Sequence, residues 1–367
     1  MRMVEARLSV KHYRREHYST LFDQRTGFFA RVEDSGYAEP KWAEHGPELI
    51  DIALTNWCDR ACAVCYRSSS TRGRHMSVNS YRNILRQASK IGVLQVALGG
   101  GNPNQHPSFP DVLKMTREEY GVVPSYTTNG RGLTSRVLRA SAAFCGAVAV
   151  SAHAPYDNMR GALRILVDAG VKTNVHFVLD ASTVEIAIDW LRSPPEMLLG
   201  INGLVFLNYK PVGRASGNRR PLRESPSVPK FFDLASNHRH PFKVGFDSCL
   251  VSGLVALSRV NPVWFDGCEA ARFSMFISEE SLAFPCSFMQ PTFRGVPVGS
   301  ENLQRVWRRS RLFSKVRRRL LEPSCIGCRH ASTCMGGCPL FPGINLCATP
   351  PKSPPLSFCS PLVTPGA

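Results

Sequence analysis

The sequence predicts an α/β fold built around a curved, partial barrel. Three observations carry this. Short apolar segments rich in β-branched residues recur at roughly thirty-residue spacing from residue 49 onward. Their apolar character is continuous rather than alternating, as in strands covered on both faces. Amphipathic helical patterns fill the intervals, which calls for parallel strands joined by right-handed crossovers. Six such βα units are too few to close an eight-stranded barrel.

The elements follow in order. Residues 1–46 are polar and basic with one hairpin pattern, Leu21–Asp23 and Phe28–Val32 around Gln24-Arg25-Thr26-Gly27, to which no chemistry is assigned. Strands are expected at Leu49–Leu54, Leu94–Leu98, Val122–Thr127, Ala147–Ser151, Thr173–Leu179 and Leu204–Leu207. Helices are expected at Val78–Ile91, Ser135–Phe144, Asp157–Ala169 and Val184–Arg192, the last opening on Ser182-Thr183-Val184-Glu185, which fits a capping box. The alternation stops after Pro211, and residues 214–230 read as a linker rich in Arg, Pro, Ser and Gly. The expected organisation is an N-terminal extension (1–46), a barrel (47–213), a bridging region (214–245), a cysteine-rich domain (246–347) and a disordered tail (348–367) containing Thr349-Pro350-Pro351-Lys352-Ser353-Pro354-Pro355.

The 367 residues are 43% hydrophobic, ample for a buried core. No apolar run is long enough to span a membrane. The start, Met1 to Arg7, lacks the apolar core of a signal peptide, so a cytoplasmic location is expected. In such a chain, thirteen clustered cysteines point to metal rather than disulfides.

Cys58, Cys62 and Cys65 form C-x3-C-x2-C, with Tyr66 directly after, beyond the first barrel strand. Three thiolates this close can hold three irons of a cubane cluster and leave the fourth open, as a catalytic metal site requires. A zinc knuckle is the alternative. The spacing, Tyr66 and the location resemble the signature of the radical SAM superfamily. That resemblance implies a (β/α)6 barrel and a [4Fe-4S] cluster whose open iron binds S-adenosylmethionine. It also implies reductive cleavage of that molecule to a 5′-deoxyadenosyl radical.

Chemistry in parallel α/β folds collects at the C-terminal strand ends. The second strand ends in Gly99-Gly100-Gly101-Asn102-Pro103. Glycines let backbone approach a ligand and leave its peptide groups free to bond. The run resembles the family's GGEP motif, which implies Gly100, Gly101, Asn102 and Pro103 beside the amino group of the methionine moiety. Asn102 stands where Glu is usual; its carbonyl still accepts a hydrogen bond. Thr127-Thr128-Asn129-Gly130 is similar to the family's TNG segment, implying Thr128 and Asn129 near the adenosine. Ser151, at the fourth strand end, is the implied ribose ligand. Asn174 and His176 share one face of the fifth strand by parity, expected to point into the barrel; a satisfied core pair is the alternative. Lys210 and Arg214 follow the sixth strand and are candidates for the SAM carboxylate or the substrate.

A second cysteine run, Cys325, Cys328, Cys334 and Cys338, reads C-x2-C-x5-C-x3-C. With Cys268, Cys286 and Cys347 it resembles the SPASM domain, a radical SAM extension that binds two auxiliary [4Fe-4S] clusters. Upstream the fit is looser, because Ser281 stands where a glycine is usual. Two all-cysteine cubanes need eight thiolates, and these are seven. Cys249 is the best eighth and Cys359 the poorer one. The family's pairing implies Cys249, Cys268, Cys286 and Cys338 around an inner cluster, and Cys325, Cys328, Cys334 and Cys347 around an outer one. A zinc ribbon on Cys325, Cys328, Cys334 and Cys338 is the alternative.

The formal charge of +17, from 45 Lys+Arg against 28 Asp+Glu, would suit a nucleic acid. Anionic clusters and a general richness in arginine are competing explanations. The densest run, Arg305–Arg319, reads as a surface helix with Val306, Leu312, Phe313, Val316 and Leu320 inward. The resemblance to SPASM enzymes implies a peptide or protein substrate, with reducing equivalents from a flavodoxin or ferredoxin. A small molecule or RNA substrate, or a non-catalytic iron–sulfur carrier, is the alternative. In sulfatase-maturing relatives an Asp base follows the second upstream SPASM cysteine. Here Ser287 follows Cys286, so sulfatase maturation ranks below peptide modification.

Overall fold

The computed structural model describes residues 8–347 and Leu356, apart from positions 218, 238, 291, 300 and 301. The tail expected to be disordered, with Cys359, lies outside the described residues, Leu356 aside. No helix among the described residues is long and apolar enough to cross a membrane.

The N-terminal hairpin forms between β2 (Tyr18–Asp23) and β3 (Phe29–Glu33), and β1 (Leu8–Tyr13) adds a third antiparallel strand. Asp23 closes the hairpin turn by accepting from the Arg25 and Thr26 amides and the Thr26 hydroxyl. Lys11 and His12 dilute the apolar pattern of β1, which is why no strand was expected there. Buried Arg31 fastens this sheet to the rest of the chain through Glu48 and Asp266, each at 2.8 Å.

All six expected barrel strands form: β4 (Leu49–Thr55), β5 (Gln95–Gly100), β6 (Val123–Thr128), β7 (Val148–Ser151), β8 (Thr173–Leu179) and β9 (Gly203–Asn208). They pair in parallel in sequence order. Helices α1 (Val78–Lys90), α2 (Phe109–Lys114), α3 (Ser135–Phe144), α4 (Asp157–Asp168) and α5 (Val184–Arg192) cover them. The core lies between, with Ile50, Ile52, Leu54, Val96 and Leu98 at most 1% exposed.

The sheet does not end with the sixth strand. Beyond α6 (Val228–Asn237), β10 (Lys243–Phe246) pairs in parallel with β9, and β11 (Ser274–Ile277) pairs in parallel with β4 at the opposite edge. The short antiparallel strands β12 (Leu282–Phe284) and β13 (Val296–Pro297) continue from β11. Four-residue strands are too short to show a period, so the sequence hides them. The region expected to be a bridge thus supplies β10, and the region expected to be a cysteine-rich domain supplies β11, β12 and β13, to the barrel sheet.

Two local expectations change. Ser182 and Thr183 do not cap α5 with their side chains. Asp180, buried at the end of β8, accepts from both of their amides instead, because a carboxylate is the stronger acceptor. The arginine-rich run is two helices, α8 (Leu303–Arg309) and α9 (Arg311–Leu321), after α7 (Val251–Leu257), and Ser310 caps the second. Its five apolar residues are buried as expected. Arg317 is buried too: it donates to the Ala271 and Trp307 carbonyls and stacks 3.7 Å from the Trp42 ring.

Candidate active site

A cavity of about 480 Å³ opens at the C-terminal ends of the barrel strands. Cys58, Cys62 and Cys65 form one wall. Gly100 and Gly101, then Thr128 and Asn129, then Ser151 and His176 continue it around the barrel. Nine of the predicted residues therefore meet around one space.

The cysteine loop is held by backbone and by its neighbours. The Cys58 amide donates to the Ser70 carbonyl at 3.0 Å, and the Gly101 and Asn102 amides donate to Thr55 and Trp57 at 2.7 and 3.0 Å. A Cβ on Gly100 or Gly101 would lie 2.0 Å from the Thr55 or Trp57 carbonyl oxygen. Gly100 also has φ +108°, so both glycines are required by the loop's own close approach. Asn129 reaches Cys58 Sγ through Nδ2 at 3.5 Å. Burial pushes the Cys58 and Cys62 thiols up, so a thiolate form needs a compensating cation.

Three predicted residues lie off the cavity wall. Asn102 is fully buried and uses both ends of its amide. Nδ2 donates to Gln105 and to the Arg131 carbonyl, while Oδ1 accepts from Thr128 Oγ1 and the Asn129 amide. It ties the glycine run to the Thr128-Asn129 segment. Pro103 is buried at the start of a single helical turn. Asn174 accepts from Asn202 at 2.7 Å, whereas His176, two residues along β8, lines the cavity. Two residues along a strand span roughly 7 Å, which sets the pair at different depths. Arg214 is also taken up by structure, donating to the Cys62 and Ser69 carbonyls.

Sequence reasoning missed Asp51 and His153. Asp51 is on β4, beside Ala97 in register, and lines the cavity. Burial above all, then Glu269, pushes its carboxyl up to about 7. An ionisable residue inside the apolar run Leu49-Ile50-Asp51-Ile52 was the available signal. Burial lowers His153 and His176 to about 4, so both are neutral near pH 7.

Eight of the remaining cysteines form two groups. Cys249 hydrogen-bonds Cys338, and Cys268 and Cys286 lie within electrostatic reach of it. Cys325, Cys328, Cys334 and Cys347 influence one another in the same way. The two groups coincide in membership with the sets implied by the family pairing, and Cys359 lies outside the described residues. All eight are free thiols. The hydrogen bond to Cys338 and burial raise Cys249, while burial raises Cys268 and Cys334 to about 12. Four gathered thiols fit an iron–sulfur cubane by donor chemistry. Among the described residues no three His, Cys, Asp or Glu converge on a single-ion point. A cubane spreads its ligands over four irons. Ser281, in the turn between β11 and β12, has φ +60°, the conformation the family's usual glycine would adopt without strain.

The inner group adjoins the cavity. Ser287 and Phe288, directly after Cys286, line it, as do Lys210 and Asp247. Lys210 is 6% exposed and paired with Asp247. Desolvation opposes its charge, but Asp247, Cys249 and Cys338 outweigh this and hold its ammonium above the usual range.

The radical SAM superfamily model matches residues 52–184. Mycofactocin maturase MftC of Mycolicibacterium smegmatis is 25% identical over 83% of this chain and 82% of its own length. The PqqA peptide cyclase of Ruegeria pomeroyi is 32% identical over 30% of this chain and 29% of its own length. The crystal structure of Streptococcus suis SuiB bound to precursor peptide SuiA shares the fold, with TM-score 0.69, 16% identity, and coverage of 88% of this chain and 92% of that one. The matched segment carries the three-cysteine loop, the glycine run and strand ends that border the cavity, and residues 52–184 form a radical SAM domain.

Proposed function

We propose that this chain is a SPASM-type radical SAM maturase that oxidises or crosslinks a peptide or protein. One observation carries the reading. A single cavity is bordered by the Cys58, Cys62 and Cys65 loop on one side and by Ser287-Phe288, next to the inner cysteine group, on the other. Cys58, Cys62 and Cys65 would hold the [4Fe-4S] cluster that binds S-adenosylmethionine, and that pair supplies a 5′-deoxyadenosyl radical when loaded. Gly100, Gly101, Thr128, Asn129 and Ser151 frame the space for the nucleoside and methionine parts. Cys249, Cys268, Cys286 and Cys338 would hold the inner auxiliary cluster, and Cys325, Cys328, Cys334 and Cys347 the outer one. Cys338 partners Cys249 rather than its sequence neighbours, which argues against a zinc ribbon on the C-terminal run. The names of the maturase and cyclase relatives favour a peptide substrate. Neutral His153 and His176 and buried Asp51 would face that substrate, and a flavodoxin or ferredoxin would supply the electron.

Anaerobic reconstitution tests this. The expected protein holds about twelve irons and releases 5′-deoxyadenosine from S-adenosylmethionine under dithionite. With a short peptide encoded beside this chain, mass spectrometry should show loss of hydrogen. Bound zinc with about four irons would overturn the auxiliary assignment, and absent SAM cleavage would overturn the whole reading.

A further inference from the structure

Lys210 stands between the two halves of the site. It lines the cavity, its side chain is 4% exposed, and its ammonium lies 4.8 Å from the centre of the Phe288 ring. Its charge acts on Cys249, Cys286 and Cys338, three thiols of the inner group. Its counter-ion, Asp247, is fixed in turn by the Asn208 amide at 3.2 Å, and Asn208 Nδ2 donates to the Cys249 carbonyl at 3.2 Å. The pair is therefore anchored to the strand end that carries Lys210 and to the segment that carries Cys249. Phe288, which the ammonium contacts, is two residues from Cys286, and Asp247 is two residues from Cys249, so the pair lies against the segments that carry both thiols.

A charge buried here is weakly screened by water and salt. One-electron reduction of an iron–sulfur cluster adds one negative charge to the site, so a fixed cation alongside stabilises the reduced form and raises the potential. We propose that Lys210 is a positioning residue that sets the reduction potential of the cluster held by Cys249, Cys268, Cys286 and Cys338, making that cluster the better electron acceptor of the auxiliary two. Asp247 orients the ammonium and moderates its effect. The inference rests on the auxiliary-cluster reading above and extends it from ligands to their electrostatic control. The outer group's neighbouring cations, Arg319 and Arg223, act on Cys325 and Cys347 at a partly exposed edge, where water screens them.

The test is a dithionite redox titration of the reconstituted full-length protein, followed by electron paramagnetic resonance. The signal lost in Cys249→Ala identifies the inner cluster. Lys210→Met, which keeps the length and removes the charge, should shift that signal to more negative potential and leave the outer one in place. Lys210→Arg should restore it. Asp247→Asn keeps the lysine and removes its counter-charge, so it should shift the same signal positively, which keeps the idea testable if Lys210→Met loses the cluster. An unchanged inner potential in Lys210→Met at full iron content, or a negative shift in Asp247→Asn, would overturn the proposal. Iron content and spectra unaffected by Cys249→Ala would instead overturn the inner-cluster assignment beneath it.

Discussion

Arg214 donates through Nε to the Cys62 carbonyl at 3.1 Å and through its terminal nitrogen to the Ser69 carbonyl at 2.8 Å. A residue beyond the sixth barrel strand thus clamps the cysteine loop that follows the first. Arg214→Ala should loosen the loop and cost about 1.5–3 kcal/mol, the range for hydrogen bonds from a charged donor. Reduced iron retention after reconstitution and a lower Tm would check this; full retention of both would show that the clamp is dispensable.

Cys58→Ala should abolish reductive SAM cleavage without unfolding the chain. Its thiol is at the loop surface facing the cavity, and its backbone amide bond to Ser70 survives the change. About eight of twelve irons should remain. Retained 5′-deoxyadenosine formation would remove this loop from the active site.

Asn102→Asp should destabilise the barrel mouth. The new carboxylate would face Gln105 Oε1 and the Arg131 carbonyl, both of which now accept from Nδ2. Two lost donations at a fully buried position should cost about 2–4 kcal/mol in denaturant unfolding.

Asp51 and His176 make stability depend on pH in opposite directions. The folded carboxyl of Asp51 sits at about 7, against about 3.9 unfolded. The unfolded chain ionises it first, so stability is lost as pH rises from about 4 to about 7. Asp51→Asn should recover this at pH 8 and gain little at pH 4. The ceiling is about 4 kcal/mol, lowered by water in the cavity. His176 falls to about 4 when folded, against about 6.5 unfolded. Its contribution is complete above pH 6.5 and is lost as pH falls toward 4. His176→Gln should flatten that acid limb in thermal melts from pH 4 to 8.

Ser281→Gly should stabilise the turn between β11 and β12 by about 0.5–1 kcal/mol, since a left-handed serine is strained and a glycine is not. An unchanged or lower Tm would mean that the serine hydroxyl contributes more than the strain costs.

The sequence by itself determined the six barrel strands, the cysteine loop and the wall formed by Gly100, Gly101, Thr128, Asn129, Ser151 and His176. Each of these lies in or next to a local pattern: a buried run, a spacing, or a strand end. Only the tertiary structure decided what rests on long-range packing. Strands β10 and β11 are too short for periodicity, and join the barrel because β9 and β4 present open edges to them. Asn102 and Arg214 have the chemistry of ligands, yet their hydrogen bonds go to backbone and neighbours brought close by folding. Asp51 reads as an interruption in a strand until the barrel encloses it. Cys338 sits four residues from Cys334 but meets Cys249, because the chain returns to the barrel edge at β10 before the second cysteine run begins. Spacing along a chain constrains which groups can share a site, and the packed sheet selects which of them do.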